Sequence, residues 1–506
     1  MEQNSKPVKE RKPTKSFDLK PGDHIHFMGI CGTAMASLAG LLHSQGYKIT
    51  GSDQNVYPPM STQLESLGIK ILSGYKRENL TRNPVGTPNL VIVGNVISRN
   101  FEEAEALLES DIPFTSLPQA MGQIVIGRRH SVVVAGTHGK TTTTALNSYV
   151  AESLGLHPGF MVGGIPKNFG QSYRFGSGDW FIIEGDEYDT AFFDKVPKFI
   201  HYRPRSVILN SVEFDHADIY RDLDHVKEAF LMLIDLIPEG GLLIACEDEE
   251  TIRDLLSRRK ESLAKRNVKV VTFGLTRGDH RAENLEAVPV KGLGSKEQAL
   301  RLGTRFSYRG QKIDIPMIGS YNVKNALATI ALWTELGHPA SEIAPRLLGF
   351  EGVKRRQEVL GTPGGVTVIE DFAHHPTAVR ETIRTVQMQY PKSHVFSIFE
   401  ARSATSRRNV FQDEYAAAFI DAGTQSLLLP PPFNLAGLKE ADRFSTDVLL
   451  KRLHDSKVDA VLFDGVDSIV KNVISRAKPG DVVLVMSNGG FDGIYQKLLS
   501  SLESVR

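Results

Sequence analysis

Short apolar runs rich in β-branched residues alternate with helical patterns along almost the whole chain, and this alternation limits the possible fold more than any other feature. Residues 24–29 (HIHFMG) indicate a strand, residues 33–46 a helix and residues 47–50 (YKIT) the next strand. The same succession recurs in the middle and in the last part of the chain. It predicts an α/β protein in which parallel sheets carry helices on their faces.

The length of 506 residues predicts three domains, since a domain typically contains about 150 residues. We predict a flexible basic tail at residues 1–20, followed by domains at residues 21–129, 130–352 and 353–506. Within the second domain, residues 280–316 are rich in charge and glycine and contain short alternating runs. This pattern predicts a small antiparallel insert.

The composition argues against several classes of function. Lys and Arg (59) balance Asp and Glu (59), whereas binding to nucleic acid or to an anionic membrane requires a basic excess. The longest apolar runs, such as FLMLIDLI, are much shorter than a membrane span. The two cysteines, Cys31 and Cys246, are too few for a disulfide framework and predict a cytoplasmic location.

The segment GTHGKTTTT, residues 136–144, lies between a predicted strand and a predicted helix, as in a phosphate-binding loop. Gly136 and Gly139 would let the backbone approach phosphate oxygens, and the helix N-terminus would offer N–H groups. Lys140 would reach the terminal phosphates, and Thr141 would offer its hydroxyl to Mg²⁺. Val134 replaces the first glycine of the full Walker pattern, so an incidental glycine-rich turn is the alternative.

Two acidic clusters follow predicted strands of the same domain. The first contains Glu184, Asp186, Glu187 and Asp189, and the second contains Glu213, Asp215, His216 and Asp218. Because the carboxyl ends of parallel strands lie on one rim of a sheet, we expect both clusters beside the phosphate loop. Glu184 and His216 are candidate Mg²⁺ ligands or orienting groups. For any single carboxylate, a solvated loop position is an equal alternative.

The chain resembles the Mur ligase family of ATP-dependent peptidoglycan amide ligases in six motifs, which are GTHGKTTTT, EGDEYDTAFFDK, FDHADIY, GSYNVKNALA, VKRRQEV and EDFAHHPTA. The resemblance extends from about His24 to the C-terminal SNGGF and includes the shortened phosphate loop. It implies a Rossmann-like UDP-binding domain, a P-loop ATPase-like central domain and a Rossmann-like C-terminal domain that binds the peptide substrate.

The resemblance also implies the reaction. ATP would phosphorylate the carboxylate of UDP-N-acetylmuramate, with Mg²⁺ as cofactor, and an amino group would attack the acyl phosphate. The segments GSDQNVYPPMSTQLE, EYDTAFFDK and HYRPR look most like the branch that uses the tripeptide L-alanyl-γ-D-glutamyl-meso-diaminopimelate, and L-alanine is the alternative amine. We expect these small molecules as partners, and no nucleic acid, membrane or obligate protein partner.

The resemblance assigns roles to individual residues. Lys140, Glu184, His216 and Arg356 look like catalytic residues. Thr141 and Glu184 look like ligands of one Mg²⁺, and His216 looks like the ligand of a second Mg²⁺ between the substrate carboxylate and the γ-phosphate. The implied ATP-binding residues are Gly136, Thr137, His138, Gly139, Lys140, Thr141, Thr142, Asn322, Asn325, Arg356, Asp371 and His374. The alternatives are a helix N-cap for Asn322, the neighbour Arg355 in place of Arg356, and a solvated loop for Asp371 and His374.

One position departs from the family pattern. Several members carry a carbamylated lysine on the helix after the histidine, where this chain has Phe230 or Leu231. The second metal would therefore have fewer protein ligands. Lys227 lies nearby, and we expect it to be a solvated helix residue.

The loop GICGTAMASLAG, residues 29–40, follows a strand and opens a helix, which suits a diphosphate. The implied UDP-muramate-binding residues are Gly29, Gly32, Thr33, Ala34, Met35, Ser52, Asp53 and Asn95. Cys31 occupies the second glycine position of a dinucleotide fingerprint, although Asp53 could serve as its ribose-binding acid. An NAD-dependent oxidoreductase fused to an ATPase module is therefore an alternative function, and a non-catalytic nucleotide switch is another.

The segment ARSATSRRN, residues 401–409, follows a predicted strand in the third domain. Arginine pairs bidentately with carboxylates, and the tripeptide carries several of them. Arg402 and Ser403, at the start of the segment, are the predicted peptide contacts, ahead of Arg407 and Arg408. A solvated basic loop is the alternative.

Overall fold

The computed structural model describes residues 12–14, 16–54, 56, 60–290 and 301–503. The predicted tail contacts the fold in its described part, since the backbone N–H of Thr14 donates to the Phe114 carbonyl at 2.8 Å. Phe17 and Leu19 also pack against the apolar core. This part of the tail is therefore held against the fold, and the rest of that prediction lies outside the described residues.

The N-terminal domain is built on a parallel sheet. Its elements are β1 His24–Met28, α1 Thr33–Ser44, β2 Lys48–Asp53, α2 Met60–Ser66, β3 Lys70–Ser73, α3 Glu78–Thr81, β4 Leu90–Val93, α4 Glu102–Glu109, β5 Phe114–Ser116 and α5 Leu117–Ala120. In the described residues the strand order is β3–β2–β1–β4–β5. The parallel pairing confirms the α/β prediction for this part of the chain.

The central domain contains the longest sheet. The strands of this domain, not all of which belong to that sheet, are β6 His130–Ala135, β7 Gly159–Met161, β8 Tyr173–Arg174, β9 Trp180–Gly185, β10 Asp189–Ala191, β11 Asp194–Pro197, β12 Pro204–Leu209, β13 Leu242–Cys246, β14 Lys269–Gly274, β15 His280–Arg281, β16 Glu283–Val290, β17 Arg301–Tyr308 and β18 Gln311–Ile315. Its helices are α6 Lys140–Ser153, α7 Leu223–Asp235, α8 Glu250–Lys265, α9 Ser320–Glu335 and α10 Ala340–Leu347.

The order of this sheet in the described residues is β15–β14–β13–β12–β6–β9–β7–β8, and its pairs are parallel except for the one between β7 and β8. Strand β6 therefore lies between β9 and β12, the two strands that precede the acidic clusters. Strands β16, β17 and β18 form a separate antiparallel sheet. This sheet confirms the predicted insert, apart from residues 291–300, which lie outside the described residues.

The C-terminal domain is a third α/β unit. Its elements are β19 Glu358–Gly361, β20 Thr367–Asp371, α11 Pro376–Gln389, β21 Val395–Phe399, α12 Gln412–Asp421, β22 Ser426–Leu429, α13 Thr446–Asp455, β23 Asp459–Leu462, α14 Val466–Arg476, β24 Val482–Met486 and α15 Ile494–Glu503. The strand order is β19–β20–β24–β21–β22–β23, with β19 antiparallel at the edge.

Strand periodicity explains how the C-terminal sheet is buried on both faces. Along β24, Val482 and Leu484 belong to one apolar cluster, whereas Val483 and Val485 belong to the other. Successive side chains point to opposite faces, so a continuous apolar run needs helices on both sides. None of the helices in the described part of the chain combines the length and apolar character needed to cross a membrane.

A buried polar ladder joins α6 to α9 beneath the phosphate loop. The hydroxyl of Thr143 donates to Asn325 Oδ1 at 3.0 Å and accepts from Asn210 Nδ2 at 3.0 Å. One turn further, Asn147 Nδ2 donates to Thr329 Oγ1 at 3.0 Å. A single hydroxyl therefore bonds to one atom of each of two buried amide groups.

We expect Thr143→Val to lower the free energy of unfolding of the central domain by about 1–3 kcal/mol, because it leaves the buried atoms Asn325 Oδ1 and Asn210 Nδ2 without their hydrogen-bond partner. Thr144→Val is the matched control, since among the described residues the Thr144 hydroxyl bonds only to the Lys140 carbonyl of the same helix. Both tryptophans of the chain, Trp180 and Trp333, lie in this domain. Urea unfolding followed by their fluorescence measures both variants, and equal losses would contradict the role of the ladder.

Candidate active site

The phosphate loop predicted from the sequence connects the end of β6 at Ala135 to the start of α6 at Lys140. Gly136 and Gly139 have φ angles of 130° and 80°, in the region that favours glycine. A Cβ atom on Gly136 would lie 2.7 Å from the backbone oxygen of Ser211, so the loop packs directly on the segment that follows β12. This packing sets the N-terminus of α6 at the carboxyl edge of the sheet, where its N–H groups can bind an anion.

A cavity of about 1250 Å³ lies in front of the loop, between the central and C-terminal domains. Its lining includes most of the residues predicted for the ATP and metal sites, namely Thr137, His138, Gly139, Lys140, Thr141, Thr142, Glu184, His216, Asn322, Asn325, Arg356, Asp371 and His374. Gly136, at the start of the loop, is buried and does not line the cavity. The predicted UDP-loop and peptide residues do not belong to this lining in the described part of the chain.

Lys140 is held by a buried acid. Its Nζ donates to the Gly136 carbonyl at 2.6 Å and pairs with Glu187 Oε2 at 3.2 Å. Burial lowers the pKa of Lys140, but the Glu187 and Asp186 carboxylates outweigh this effect and raise it above its ordinary value. The ammonium group is therefore charged and faces the cavity at neutral pH.

Glu187 also binds His216. Its Oε1 lies 3.2 Å from His216 Nε2, and Asp215 Oδ2 lies 3.7 Å from the same nitrogen. Burial lowers the pKa of His216, but the hydrogen bond to Glu187 and the charge of Asp215 raise it above its usual value. Sequence reasoning placed Glu187 in the first acidic cluster without assigning it a role. The only signal was its position three residues after Glu184, past the end of β9.

A second polar chain joins Glu184 to the C-terminal domain. Thr141 Oγ1 donates to Glu184 Oε2 at 3.1 Å, and Arg356 Nη2 donates to Thr141 Oγ1 at 3.1 Å. The backbone N–H of Gly163 also donates to Glu184. Burial and the nearby charge of Asp186 raise the pKa of Glu184 to about 7. A bound cation would favour the ionised carboxylate and reverse this shift.

The donor set in this chain fits Mg²⁺. Thr141 Oγ1 and Glu184 Oε2 are 3.1 Å apart, a spacing at which one ion with bonds of about 2.1 Å contacts both oxygens. His216 lines the same cavity, but its carboxylate partners in the described residues are Glu187 and Asp215. Thr141 and Glu184 are thus adjacent, as predicted, whereas His216 is linked to Lys140 through Glu187.

Asn322 and Asn325 lie side by side on α9, since Asn325 Nδ2 donates to Asn322 Oδ1 at 3.3 Å. Asn322 Nδ2 donates to the Ile318 carbonyl at 2.8 Å. The N-cap of α9 is Gly319, so the N-cap alternative for Asn322 is wrong. Both amides line the cavity, and their contact with adenine stays a prediction.

Asp371 holds the turn that presents Arg356. Its carboxylate accepts the backbone N–H groups of Gln357 at 2.8 Å and Ala373 at 2.7 Å. Burial raises the pKa of Asp371. Arg355 points elsewhere, because its Nε pairs with Glu370 at 2.6 Å, so Arg356 is the arginine that lines the cavity.

His374 lies next to this turn and also lines the cavity. Its Nδ1 lies 3.1 Å from the Phe372 carbonyl, and burial lowers the pKa of its imidazole. The predicted contacts of Asp371 and His374 with ATP stay predictions.

The helix that follows His216 has no lysine directed at the cavity in its described residues. Phe230 and Leu231 are fully buried in the apolar core. Lys227 pairs with Asp224 at 3.4 Å and with Asp254 of α8 at 3.1 Å. Lys227 is thus a partly exposed helix residue, in line with the expectation, and its ammonium group pairs with neighbouring acids.

The predicted UDP loop opens α1 of the N-terminal domain. The backbone N–H of Gly29 donates to the Ser52 carbonyl at 2.8 Å, and that of Cys31 donates to Asp53 Oδ2 at 2.8 Å. Gly32, Thr33 and Asn95 are exposed, Ala34 is partly buried, and Met35 and Ser52 are buried. Ser52 and Asp53 therefore support the loop from below, while the exposed residues form its open face.

Arg402 and Ser403 lie in a different part of the C-terminal domain. The Arg402 guanidinium lies 3.8 Å from the ring centroid of Phe433, and its Nη1 pairs with Glu400 at 3.3 Å. Ser403 Oγ accepts the backbone N–H of Ser406 at 2.9 Å and closes a local turn. About a quarter of the Arg402 side chain is exposed, at 27%.

We expect Gly139→Ala to weaken Mg–nucleotide binding at least tenfold. A Cβ atom there would lie 2.8 Å from Asn325 Oδ1 and 2.9 Å from Asn210 Nδ2, so the loop must shift. Gly155→Ala is the matched control, because Gly155 has φ of 77° but a Cβ atom added to it would meet no other atom within 4 Å. Alanine would adopt an unfavourable positive φ in both variants, so the conformational cost to the backbone is similar. A fluorescent ATP analogue measures the nucleotide affinity of each variant. Equal affinities would exclude the loop as the phosphate site.

Three family models match this chain in succession. The model for the Mur ligase family, catalytic domain, matches residues 24–129, and the Mur ligase middle domain matches residues 134–333. The Mur ligase, glutamate ligase domain matches residues 355–489. Together they extend over nearly the whole α/β structure.

Full-length relatives agree with this match. The chain is 38% identical over 481 residues to the UDP-N-acetylmuramate–L-alanyl-γ-D-glutamyl-meso-2,6-diaminoheptandioate ligase of Escherichia coli K12, covering 94% of this chain and 98% of that protein. It is 33% identical over 475 residues to the UDP-N-acetylmuramate–L-alanine ligase of Clostridium tetani, covering 94% and 97%.

A solved structure agrees as well. The crystal structure of a murein peptide ligase from Psychrobacter arcticus is 33% identical, with a TM-score of 0.70 over 96% of this chain and 100% of that one. These matches confirm the family predicted from the motifs and the three-domain α/β fold. The chain belongs to the Mur ligase family.

Proposed function

We propose that the chain is an ATP-dependent ligase that joins the carboxylate of UDP-N-acetylmuramate to the amino group of L-alanyl-γ-D-glutamyl-meso-diaminopimelate. The observation that carries this proposal is the single cavity that combines Lys140, the Thr141–Glu184 oxygen pair and Arg356. The full-length match to the Escherichia coli ligase named for these substrates supports it. Residues 21–129 would bind UDP-muramate, residues 130–352 ATP and residues 353–506 the peptide.

In the first step, a carboxylate oxygen attacks the γ-phosphorus of ATP, and the bond to the β-phosphate oxygen breaks, giving an acyl phosphate and ADP. Lys140 and Arg356 neutralise the charge that spreads over the transferred phosphoryl group. The backbone N–H groups at the start of α6 orient the phosphates. Thr141 and Glu184 would hold Mg²⁺, which supplies further charge neutralisation when it is bound.

In the second step, the amine attacks the acyl carbon, and a tetrahedral intermediate collapses to the amide and inorganic phosphate with loss of one proton. The protein contributes by holding the two substrates in line, which converts a bimolecular step into a nearly unimolecular one. His216, held by Glu187, would orient the carboxylate and the γ-phosphate. The proposed location of this reaction is the cytoplasm, as the cysteine content predicts.

The segment ARSATSRRN, residues 401–409, supports the tripeptide as the amine substrate. Arg402 lies against Phe433 and Gly489, since a Cβ atom on Gly489 would overlap the Arg402 guanidinium. Packing on two sides limits the positions of the guanidinium, so less conformational entropy is lost when it binds a carboxylate. L-alanine has one carboxylate and needs less basic surface. The match to the alanine-adding ligase of Clostridium tetani keeps L-alanine as the second candidate.

Release of phosphate from ATP, Mg²⁺ and UDP-N-acetylmuramate should depend on the tripeptide. The measurement compares the tripeptide with L-alanine at equal concentrations, and kcat/KM should be at least 100-fold higher for the tripeptide. A preference for L-alanine would be consistent with the proposed reaction steps but would show that the tripeptide is not the preferred amine substrate. Release with neither amine would reject the muramate assignment.

Lys140→Ala should reduce ADP formation by about 100-fold or more, because it removes a charge aimed at the transferred phosphoryl group. Lys195→Ala is the control, since Lys195 is an exposed lysine paired with Asp189 at 2.9 Å. Tryptophan fluorescence checks that both variants keep the central domain folded. A folded Lys140→Ala enzyme with normal turnover would reject the phosphate role.

Arg402→Ala should raise the KM for the tripeptide about tenfold or more and leave the KM for ATP unchanged, because a charged hydrogen bond to a substrate carboxylate is lost. Arg384→Ala is the control. Arg384 is a surface arginine of α11 that bonds to the Asp421 carbonyl at 2.9 Å. Equal changes in both KM values for Arg402→Ala would place Arg402 outside the peptide site.

A further inference from the structure

Three side chains with metal-binding atoms meet at the junction of the central and C-terminal domains. His138 comes from the phosphate loop, Glu213 from the segment after β12 and His375 from the N-cap of α11. His138 Nε2 lies 3.5 Å from Glu213 Oε2, and His375 Nδ1 lies 3.8 Å from the same oxygen. One ligand atom from each residue lies within 4.8 Å of the other two.

The orientation of His375 favours coordination through Nδ1. Its Nε2 lies 3.1 Å from the Phe214 carbonyl, which can only accept, so the proton is on Nε2 and Nδ1 carries the lone pair. In the structure this lone pair accepts the backbone N–H of Thr377 at 3.3 Å, the N-cap hydrogen bond of α11, and a bound ion would replace that long contact. Histidine ligands of metals commonly donate their second nitrogen to a backbone carbonyl in this way. Burial lowers the pKa of His375 to about 4, and the imidazole is therefore neutral at physiological pH.

The other two donor residues, Glu213 and His138, are also suited to bind a cation. Burial raises the pKa of Glu213, but the interaction with His138 and the other neighbouring groups outweigh it and lower the pKa to about 2, so the carboxylate is ionised. The Thr377 hydroxyl donates to Glu213 Oε2 at 2.8 Å and orients it. His138 Nε2 is a buried nitrogen that makes no hydrogen bond in the described residues.

The donor types and their spacing distinguish this cluster from the proposed Mg²⁺ site. Two ligands of a tetrahedral zinc ion, with bonds of about 2.1 Å, lie about 3.4 Å apart, close to the two distances measured from Glu213. Two imidazoles and one carboxylate suit zinc, whereas the oxygen pair of Thr141 and Glu184 suits Mg²⁺.

We propose that His138, Glu213 and His375 form a binding site for a zinc-like divalent transition ion, separate from the Mg²⁺ site. All three residues line the cavity, so a fourth coordination position would be open to water or to an anionic ligand. The ion would bind the phosphate loop and the N-terminus of α11 at once. Its occupancy would therefore restrain the C-terminal domain against the loop that binds nucleotide.

The test uses the full-length, metal-free protein in excess Mg²⁺, titrated with Co²⁺ and followed by the visible absorption of low-coordinate cobalt. Zn²⁺ should displace one equivalent of Co²⁺ per chain, and equilibrium dialysis checks the stoichiometry. His375→Asn and Glu213→Gln should each weaken Zn²⁺ binding at least tenfold. Absence of a low-coordinate cobalt spectrum in the unaltered chain would overturn the proposal.

Two controls identify the site that is measured. His157→Asn should keep full affinity, because His157 also lies 3.5 Å from a carboxylate, that of Glu152, but has no third donor in the described residues. Glu184→Gln should also keep the cobalt spectrum. Loss of the spectrum in Glu184→Gln alone would assign the ion to the Mg²⁺ site and overturn the proposal.

A third check separates loss of ligands from misfolding. Tryptophan fluorescence reports the folded central domain of each variant, and circular dichroism reports the helices of the C-terminal domain. Unchanged Zn²⁺ affinity in both folded ligand variants would overturn the proposal. Loss of affinity in both, with intact folds, would support it independently of any activity.

Discussion

The carboxylate of Glu187 holds together two basic groups of the cavity, Lys140 and His216. Glu187 is only 3% exposed, and a buried carboxylate is costly unless positive charges compensate for it. Its Oε1 and Oε2 lie 3.2 Å from His216 Nε2 and Lys140 Nζ, respectively. The interaction raises the pKa of both basic groups and lowers that of Glu187 itself.

In the proposed reaction, this arrangement would suit an anionic substrate. Lys140 is charged and directed towards the phosphate loop before any nucleotide is present, so little reorganisation is needed when phosphate oxygens bind. Phosphate groups would then compete with Glu187 for Lys140, which makes Glu187 a positioning residue of the proposed reaction.

The junction with the C-terminal domain combines polar contacts with an apolar one, since Phe214 packs against the C-terminal apolar cluster, with its ring centroid 6.0 Å from that of Phe411. Arg356 donates to Thr141 at 3.1 Å, Thr377 donates to Glu213 at 2.8 Å, and the backbone N–H of Ala217 donates to Thr405 Oγ1 at 3.3 Å. The apolar clusters of the C-terminal domain are separate from the large cluster of the other two domains. Because residues of both domains line the cavity, the candidate site depends on how the C-terminal domain is positioned against the central domain.

The α/β class, the phosphate loop and the sheet edge on which both acidic clusters lie could be predicted from the sequence, because they follow from local periodicity and from the order of strands and helices. Which side chains meet in the cavity became visible only in the folded chain. Glu187 pairs with Lys140 across 47 residues, and Arg356 reaches Thr141 across 215 residues. Arg355 and Arg356 are equivalent in the sequence, but the turn held by Asp371 directs only Arg356 into the cavity. Such pairings arise because β9 and β12 flank β6 and because the C-terminal domain docks on their ends, and no local pattern encodes contacts between residues so far apart in the chain.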